Sequence, residues 1–550
     1  MRTPLFIAAV AALALIAMIR VATTMDEYAA TLDEPIHLAA GFEWFDGNYT
    51  TDMTHPPLAR IVCALPLRLA GYPAPKPANM VDRGNQLLYH GDAYVRTLAR
   101  ARRGNLLFLV IAIAVVAVWA RRVFGEWIAL LGVALFTNLP IVLGHAGLIT
   151  TDMALTATLP LSLFALELFL EKRTLRSAVL LGVAAGLGML SKFSFFVFFP
   201  LCAIAVLVTA SPERRALWSA GLSARRLLAT KGAGLESPAL QRGRRSGGTV
   251  LVAVPVALLV AWAGYRFDVQ RPANVIENGA NMIEWAAPAP LKSVVHRVAQ
   301  WPLPAPEMLI GMAQVKLHDT LGHGGYLLGR EYTNGWWPYF LVLLFYKSPL
   351  PWLFLVVWGA RDKRCLPLLL IAAAMLFMAS TSKINIGLRH VLPLFAPLSI
   401  VSAVAIARIH RNATAAFSKA ALIALLAWML IGVAIRHPDY LPWFNELAQP
   451  TPSRISVDSN LDWGQDVLRL ADVVRKRKIE HLHSAFFTPL RLGLHGINAT
   501  GLTPKTPVKG WVAISEHQIR FAEDTGDYDW LQSYRPVQMI GESIRLYYVP

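Results

Sequence analysis

The chain has 550 residues, of which 55% are hydrophobic and only 16% are charged. Soluble domains usually carry about 25% charged residues, so this composition argues against a soluble protein and indicates one that crosses a membrane repeatedly. The net charge of +17 does not indicate a nucleic-acid partner, because the basic residues lie in short runs between apolar segments, as topology signals do. The expected partner is the lipid bilayer, and no nucleic acid is expected.

Long apolar segments fill most of the first 436 residues. Most of them approach the length of about 20 residues that a helix needs to cross a hydrocarbon core. The segments are 4–22, 104–120, 127–144, 152–170, 175–190, 193–210, 249–266, 339–359, 365–380, 391–408 and 417–435. They predict a polytopic α-helical membrane protein with about eleven transmembrane helices. Arg20 interrupts the end of the first segment, so we expect an uncleaved helix there and not a signal peptide.

The basic runs between the segments predict the orientation. With a cytoplasmic N-terminus, all of these runs fall on the cytoplasmic side, as the positive-inside rule requires. The runs are Arg121-Arg122, Lys172-Arg173 with Arg176, the basic residues of 211–248, Arg361 with Lys363 and Arg364, and Arg408 with Arg411. The Ala- and Arg-rich composition suggests a bacterium. We therefore expect a multi-pass protein of the cytoplasmic (inner) membrane whose C-terminus lies in the periplasm.

Three long polar pieces then face the periplasm: a first loop (23–103), a second loop (267–338) and a tail (437–550). Residues 58–67 of the first loop are expected to form a short helix in the membrane interface. In the tail, a helix at 465–478 and strands at 481–487, 510–515 and 544–549 predict a small α/β domain that follows a transmembrane region of residues 1–436. On the cytoplasmic side, the stretch 211–248 is expected to be a flexible loop.

An acidic pair, Asp33 and Glu34, follows the first apolar segment closely. Such a pair can be an ordinary solvated loop, but charges beside a membrane face are costly unless something uses them. His55 follows in the same loop, and Pro56 and Pro57 behind it restrict the backbone and hold it in place. A carboxylate at this position could accept a proton from a hydroxyl group.

Two further polar residues lie between apolar segments. Asp152 ends the turn 144–152 and begins a predicted helix, so it is either a helix cap or a functional carboxylate. Lys192 stands alone between two apolar stretches. It either extends its ammonium group to the interface or contacts a lipid phosphate.

Arg389 and His390 open a late predicted helix on the periplasmic side, where the positive-inside rule disfavours cations. An arginine binds phosphate oxygens through a planar fork, so this helix end is a candidate anion site.

Lys347 lies inside a predicted span. A lysine there costs roughly 2.5–3.5 kcal/mol, so it should pair or face a polar cavity. Together, these carboxylates and cations fit sugar transfer from a lipid-linked phosphosugar, because a base and stabilisation of the departing phosphate are what that reaction needs.

These motifs resemble the glycosyltransferase C superfamily, nearest to the protein O-mannosyltransferases and the lipid A aminoarabinose transferases. The resemblance rests on Asp33-Glu34, His55-Pro56-Pro57-Leu58, Asp152, Lys192 and the stretch 387–393, GLRHVLP. It implies an inverting transferase that uses a polyprenyl-phosphate sugar donor and a protein, lipid or glycan hydroxyl acceptor. It further implies Asp33 as catalytic base, a donor pocket shaped by the His-Pro-Pro-Leu segment, and Arg389 as a phosphate contact. The expected substrate-binding residues are Glu34, His55, Arg60, Asp152, Lys192, Lys347, Arg389 and His390.

The chain departs from the family pattern at two positions and carries one unexplained motif. Arg60 stands where the family often has Lys, which preserves the charge, and His390 stands where it often has Tyr. The tail stretch 457–466, VDSNLDWGQD, is similar to one in bacterial members of the superfamily. Acceptor contact and simple folding of the tail are both open for it.

The aminoarabinose transferases can involve a metal ion, but we expect no required metal or other cofactor here. The histidines on the expected outer side, His37, His55, His318 and His323, do not form a ligand cluster in the sequence. Cys63, Cys202 and Cys365 lie in or near apolar runs without metal-ligand spacing and are expected to be buried.

Two other functions remain open at the level of the sequence. One is a transporter or flippase for a lipid-linked sugar, although such proteins usually show repeated halves with polar residues at mid-membrane, and no internal repeat is visible. The other is a non-catalytic subunit of an envelope assembly complex. Substitution of Asp33 would abolish activity in a transferase and would matter little in such a subunit.

Overall fold

The computed structural model describes residues 3–91, 93–209, 238–412 and 416–550. Most of the predicted flexible loop 211–248 lies outside the described residues. For the last part of this loop the prediction is wrong, because the helix Pro238–Gly264 begins at Pro238 and residues 238–248 are helical.

Apolar helices dominate the described part of the chain before residue 436. Six of them are long and apolar enough to cross a membrane: Thr3–Ala22, Tyr94–Phe124, Asp152–Lys172, Lys363–Ser380, Leu388–Asn412 and Phe417–Ala434. Two bent helix pairs raise the number to as many as eight. Three further helices are apolar but shorter: Leu175–Met189, Phe195–Thr209 and Leu251–Gly264. The protein is thus a multi-pass membrane protein. Each predicted apolar segment overlaps one of these helices or pairs, while the number of helices that span the bilayer stays a prediction.

Both bent pairs break where the sequence places proline. Glu126–Phe136 and Pro140–Ala146 meet at 67°, and Tyr339–Tyr346 and Leu350–Gly359 meet at 113°, next to Pro349. Proline lacks the amide hydrogen that would continue a helix and is favoured in the first turn of a new one. Lys347 lies at the second break, between Tyr346 and Leu350, and its ammonium group donates to carbonyl groups outside both helices of that pair.

The two loops hold more regular structure than the sequence indicated. The first loop contains the helices Glu34–Trp44, Leu58–Leu69 and Met80–Leu88, and its last helix, Tyr94–Arg102, continues into the apolar helix Leu106–Phe124 as one long span. The second loop contains the strands β1 (Val269–Gln270), β2 (Leu303–Pro304), β3 (Gly325–Leu327) and β4 (Arg330–Tyr332) and the helices Pro272–Val275, Gly279–Ala286, Lys292–Ala299 and Pro306–Leu321. Of these elements, only Leu58–Leu69 was predicted. Its one-sided burial through Ala59, Cys63 and Leu67 fits an amphipathic helix.

The tail is an α/β unit built on one mixed sheet. Its strands are β5 (Leu482–Ala485), β6 (Ala499–Gly501), β7 (Gly510–Ser515), β8 (Gln538–Ile540) and β9 (Ile544–Val549), in the order β6-β5-β7-β9-β8. Strand β5 pairs in parallel with β6 and β7, whereas β9 runs antiparallel to β7 and β8. The helices are Val467–Arg477 and Glu516–Arg520. The predicted helix and three predicted strands coincide with elements of this unit, and two short edge strands were missed.

The tail and the first loop share one hydrophobic core. Leu38 and Phe42 of the first loop lie in the same buried cluster as Leu470 and Leu546 of the tail. Apolar side chains that bury one another across two segments hold those segments together. The domain boundary at residue 437 therefore remains a prediction. It marks where the chain leaves its last apolar helix, but the tail beyond it shares a hydrophobic core with the first loop.

A buried ion pair fixes the start of the first loop. Arg102 donates from Nε to Glu34 Oε1 (2.8 Å) and from Nη2 to Glu34 Oε2 (2.7 Å), and neither side chain is exposed. The backbone amides of Thr31 and Ile149 also donate to this carboxylate. The guanidinium further donates to the carbonyl groups of Met25, Tyr28 and Ala29. Both oxygens of the Glu34 carboxylate are therefore held by groups of the protein.

We expect Glu34→Gln to destabilise the protein by about 3–5 kcal/mol, because removal of one partner leaves the other charge buried and unpaired. The matched control is Asp46→Asn. It breaks an exposed pair with Arg68 in the same loop, which should contribute less than about 1 kcal/mol. Unfolding of both variants and the wild type in detergent measures the difference. Equal stability of the two variants would contradict the assignment of Glu34 as an anchor.

Candidate active site

Arg389 is the centre of the candidate site. It lies in a 3-10 segment, Leu388–Leu394, that leads into the helix Phe395–Asn412. Its guanidinium donates from Nη2 to Asp33 Oδ2 at 3.1 Å and from Nη1 to Asp152 Oδ2 at 3.4 Å. The Arg389 side chain is only 5% exposed. The structure thus brings together two carboxylates that the sequence placed in different loops, on one planar cation.

Lys192 completes this group. Its Nζ donates to Asp152 Oδ1 at 2.5 Å, so the fully buried Asp152 carboxylate lies between two cations. We call Asp33, Asp152, Lys192 and Arg389 the Arg389 cluster. Asp152 begins the helix Asp152–Lys172, whose N-cap residue is Thr151. Asp152 is therefore not the N-cap residue, and its oxygens bind Lys192 and Arg389.

Asp33 is the accessible carboxylate of the Arg389 cluster. It is 26% exposed, whereas Asp152 is 0% exposed. Asp33 is the N-cap residue of Glu34–Trp44, but its side chain makes no capping hydrogen bond. The carboxylate is therefore free to face the cluster, with one oxygen held by Arg389. This is the geometry that a general base needs, because a base must be both positioned and reachable by a substrate hydroxyl.

A second cluster, formed by His37, Asp52, His55 and Arg60, adjoins the first. Arg60 donates from Nη2 to Asp52 Oδ2 and from Nε to His37 Nδ1 (3.2 Å), and Asp52 also contacts His55 Nδ1 at 3.2 Å. Burial alone would raise the pKa of the Asp52 carboxyl, but Arg60 and His55 outweigh it and hold that pKa well below its usual range. Asp52 thus stays ionised and keeps Arg60 and His55 in place. The sequence had predicted His55 and Arg60 but not Asp52.

The Pro-Pro turn ties this second cluster to the first. The amide of Leu58, which follows Pro57, donates to the carbonyl of Leu190 at 3.0 Å. Leu190 lies two residues before Lys192. The turn that carries His55 is therefore fixed to the segment that carries Lys192.

The second cluster brings three potential metal ligands together around Arg60. The potential ligand atoms of His37, Asp52 and His55 lie within 4.8 Å of one another. Burial, with His55 and Arg60 nearby, holds the pKa of His37 well below its usual range, so its imidazole is neutral. Its Nδ1 accepts a hydrogen bond from Arg60, which leaves the proton on Nε2, and the same guanidinium neutralises Asp52. Arg60 thus contacts His37 Nδ1 and Asp52, whereas His37 Nε2 is buried without a hydrogen-bond partner among the described residues, and the absence of a required metal stays a prediction.

Two predicted substrate-binding residues lie away from the accessible surface. Glu34 is committed to Arg102, as described above. Lys347 is 1% exposed, and its Nζ donates to the carbonyl groups of Leu441 (2.8 Å) and Asn460 (2.5 Å). The expectation that Lys347 pairs is met, but its partners are backbone groups that lead into the tail. His390, half-buried, directly follows Arg389.

The tail supplies two contacts to Arg389 that the sequence did not predict. Arg389 Nε donates to Ser459 Oγ at 3.1 Å, and the guanidinium carbon lies 4.2 Å from the centre of the Trp463 ring. Both residues belong to the stretch 457–466, which was noticed only as a motif. The signal in the sequence was the similarity of this stretch to one in bacterial members of the superfamily, and it did not indicate a contact with Arg389.

Known proteins share this fold. A family model described as dolichyl-phosphate-mannose-protein mannosyltransferase matches residues 96–229. The chain is similar to ArnT from Cupriavidus metallidurans bound to undecaprenyl phosphate, with 15% identity, 99% of this chain and 98% of that chain covered, and a TM-score of 0.50. It is also similar to the S. cerevisiae protein O-mannosyltransferase Pmt1-Pmt2 complex bound to the sugar donor, with 12% identity, 82% and 92% covered, and a TM-score of 0.51. No curated protein matches the chain by sequence.

The class of protein follows from these matches: a multi-pass membrane protein with the glycosyltransferase C fold. The similarities are to the mannosyltransferase family model over residues 96–229 and to the folds of ArnT and of the Pmt1-Pmt2 complex. The resemblance predicted from the motifs is confirmed at this level.

Asp458 gives the stability of the protein a defined pH dependence. Burial raises the pKa of this carboxyl to about 7, with Arg389 opposing the rise and Asp33 adding to it. An unfolded Asp titrates near about 3.9, so the folded state holds the proton more tightly and this contribution to stability is lost as the pH rises from about 4 to about 7. We expect Asp458→Asn to raise the melting temperature relative to the wild type by more at pH 8 than at pH 5. A gap that is the same at both pH values would contradict this assignment.

Proposed function

We propose that the protein is a membrane glycosyltransferase that moves a sugar from a polyprenyl-phosphate donor to a hydroxyl group of a protein, lipid or glycan acceptor. One observation carries the proposal: the partly exposed Asp33 carboxylate is held by Arg389 beside a second, buried carboxylate and Lys192. A reachable base and two cations therefore share one small site. The solved relative ArnT was bound to undecaprenyl phosphate, which supports this class of donor.

The reaction would proceed with inversion in one displacement. Asp33 accepts the proton of the acceptor hydroxyl as the acceptor oxygen forms a bond to the anomeric carbon of the sugar. The bond between that carbon and the phosphate oxygen breaks, and its electron pair leaves with the polyprenyl phosphate. A positioned general base of this kind typically contributes about 10²–10⁴-fold to the rate.

The cations would act on the departing phosphate. Arg389 presents a planar fork that matches phosphate oxygens, and Lys192 adds a compact positive charge. Asp152 holds both cations by its two oxygens, so they are oriented before the donor binds. Preorganised charges stabilise a transition state without reorganisation at the moment of reaction. In this proposal, His55, Arg60 and His390 shape the donor pocket, while Glu34 and Lys347 hold the surrounding backbone.

The positions of these residues also support the proposed topology. Asp33 follows the end of the first helix, Lys192 follows the end of Leu175–Met189, and Asp152 and Arg389 lie at the starts of their helices. In a chain that crosses the bilayer in alternating directions, all four positions fall on one side. The basic runs fall on the opposite side, which is cytoplasmic under the positive-inside rule. We therefore place the site and the tail on the periplasmic side of the inner membrane.

We expect Asp33→Asn to lower sugar transfer at least about 100-fold without loss of folding, because an amide cannot accept the acceptor proton. The assay gives purified protein in lipid a panel of labelled polyprenyl-phosphate sugars with crude envelope acceptors and counts the label transferred. Asp46→Asn, which removes the charge of an exposed acid in the same loop, is the matched control and should retain full activity.

Equal transfer by wild type and Asp33→Asn would remove Asp33 from the mechanism. Movement of labelled donor across the bilayer, without transfer to any acceptor, would instead support a transporter. In that case the charged cluster would serve transport of the phosphosugar and not its chemistry.

Arg389→Lys tests the phosphate contact separately. Lysine keeps the positive charge but cannot donate to Asp33, Asp152 and Ser459 from one rigid plane. We expect about a tenfold or greater rise in KM for the donor together with a lower kcat, and no change in KM for the acceptor. An unchanged donor KM would contradict a role of Arg389 in phosphate binding.

A further inference from the structure

The tail stretch 457–466 passes directly against the Arg389 cluster. Ser459 Oγ accepts a hydrogen bond from Arg389 Nε (3.1 Å) and donates its own proton to the carbonyl of Ile386 (2.6 Å). Ser459 is 1% exposed. The hydroxyl therefore links the guanidinium to the backbone just before it and fixes the direction of the Arg389 side chain.

Gly387 is required by this contact. A Cβ atom built at Gly387 would lie 2.1 Å from Ser459 Oγ, which is closer than two such atoms can approach. The glycine of the GLR motif is thus explained by the serine of the tail. An alanine at position 387 would push the hydroxyl out of its place between Arg389 and Ile386.

Trp463 contacts the same guanidinium. Its ring lies 4.2 Å from the Arg389 guanidinium carbon, and its side chain is 1% exposed. A cation over an indole face gains roughly 0.5–2 kcal/mol, most when the pair is desolvated. The Trp463 carbonyl also accepts a hydrogen bond from the amide of Leu32 (3.1 Å), the residue before Asp33. One short segment therefore contacts both the cation and the backbone beside the base.

The stretch itself is anchored from the membrane region. Asn460 accepts a hydrogen bond from the amide of Leu388 through Oδ1 (3.0 Å), and its backbone carbonyl accepts one from Lys347 Nζ (2.5 Å). The ammonium group of the buried Lys347 therefore holds the stretch 457–466 against the segment that carries Arg389.

We infer that the stretch 457–466 is a built-in part of the donor-phosphate site, in which Ser459 and Trp463 are positioning residues that aim Arg389 at the phosphate. The inference rests on the proposed function and adds a role for the tail within it. It differs from a role in folding alone, since a folding contact would change stability without a specific change in donor affinity.

The test measures binding of undecaprenyl phosphate, and KM and kcat for the sugar donor, with full-length protein. We expect Ser459→Ala to weaken undecaprenyl phosphate binding about tenfold and Trp463→Phe about threefold, since a hydrogen bond to a charged group and a cation–π contact contribute energies of that order. Ser459→Thr, which keeps the hydroxyl, should recover much of the affinity. Donor KM should follow the binding constant in each variant, with acceptor KM unchanged.

The tail supplies a matched control for each substitution. Ser453 accepts hydrogen bonds from the Arg520 guanidinium (3.2 and 2.9 Å), and the Arg477 guanidinium carbon lies 5.9 Å from the centre of the Trp511 ring. Ser453→Ala and Trp511→Phe remove the same types of contact within the tail. They should change stability without altering donor affinity.

A double-mutant cycle provides the second measurement. We expect Gly387→Ala alone to weaken donor binding about as much as Ser459→Ala, and the double variant to be little worse than either, because both act by displacing the same hydroxyl. If Gly387→Ala does not fold, the comparison of Ser459→Ala with its control Ser453→Ala still tests the inference.

The outcomes separate the two proposals. If the wild type does not bind undecaprenyl phosphate, the proposed function and the inference are both overturned. If the wild type binds it and Arg389→Lys weakens binding, but Ser459→Ala and Trp463→Phe behave like their controls, the inference alone is overturned. Additive losses in the cycle would also contradict it.

Discussion

The guanidinium of Arg389 is the interaction on which the candidate site depends. It joins parts of the chain that are far apart in sequence: Asp33 in the first loop, Asp152 at a helix start, and Ser459 and Trp463 in the tail. A buried cation is costly unless its geometry with its partners is good. Arginine meets this condition because its donors lie in one plane and point in fixed directions. The folds of three segments are therefore coupled through one side chain.

The adjacent carboxylates Glu34 and Asp33 differ in their exposure to solvent. Glu34 is fully enclosed by Arg102 and backbone amides, whereas the adjacent Asp33 keeps part of its carboxylate exposed. Glu34 holds the loop in place, and Asp33 remains partly accessible. The same division holds between the two lysines: Lys192 faces the carboxylate of Asp152, and Lys347 binds only backbone carbonyl groups among its hydrogen-bond partners.

The sequence predicted much of the membrane region because hydrophobicity is a local property. Each apolar segment overlaps an observed helix or bent pair, and β7 and β9 have the predicted bounds. The four members of the Arg389 cluster were all among the predicted site residues, because charged residues stand out beside apolar segments. Asp52, Ser459 and Trp463 were missed as site residues, since nothing local shows that they meet Arg60 or Arg389. Glu34 was expected to bind substrate because its partner, Arg102, lies 68 residues away and only the fold brings the two together.

The central claim is that Arg389 binds the donor phosphate beside the base Asp33. A structure of the protein with undecaprenyl phosphate, determined by cryo-electron microscopy in a lipid nanodisc, tests it most directly. The account predicts the phosphate within hydrogen-bond distance of the Arg389 guanidinium, close to Lys192, with the Asp33 carboxylate facing the space that the sugar would occupy. A phosphate bound elsewhere, with the contact between Arg389 and Asp33 still closed, would contradict it.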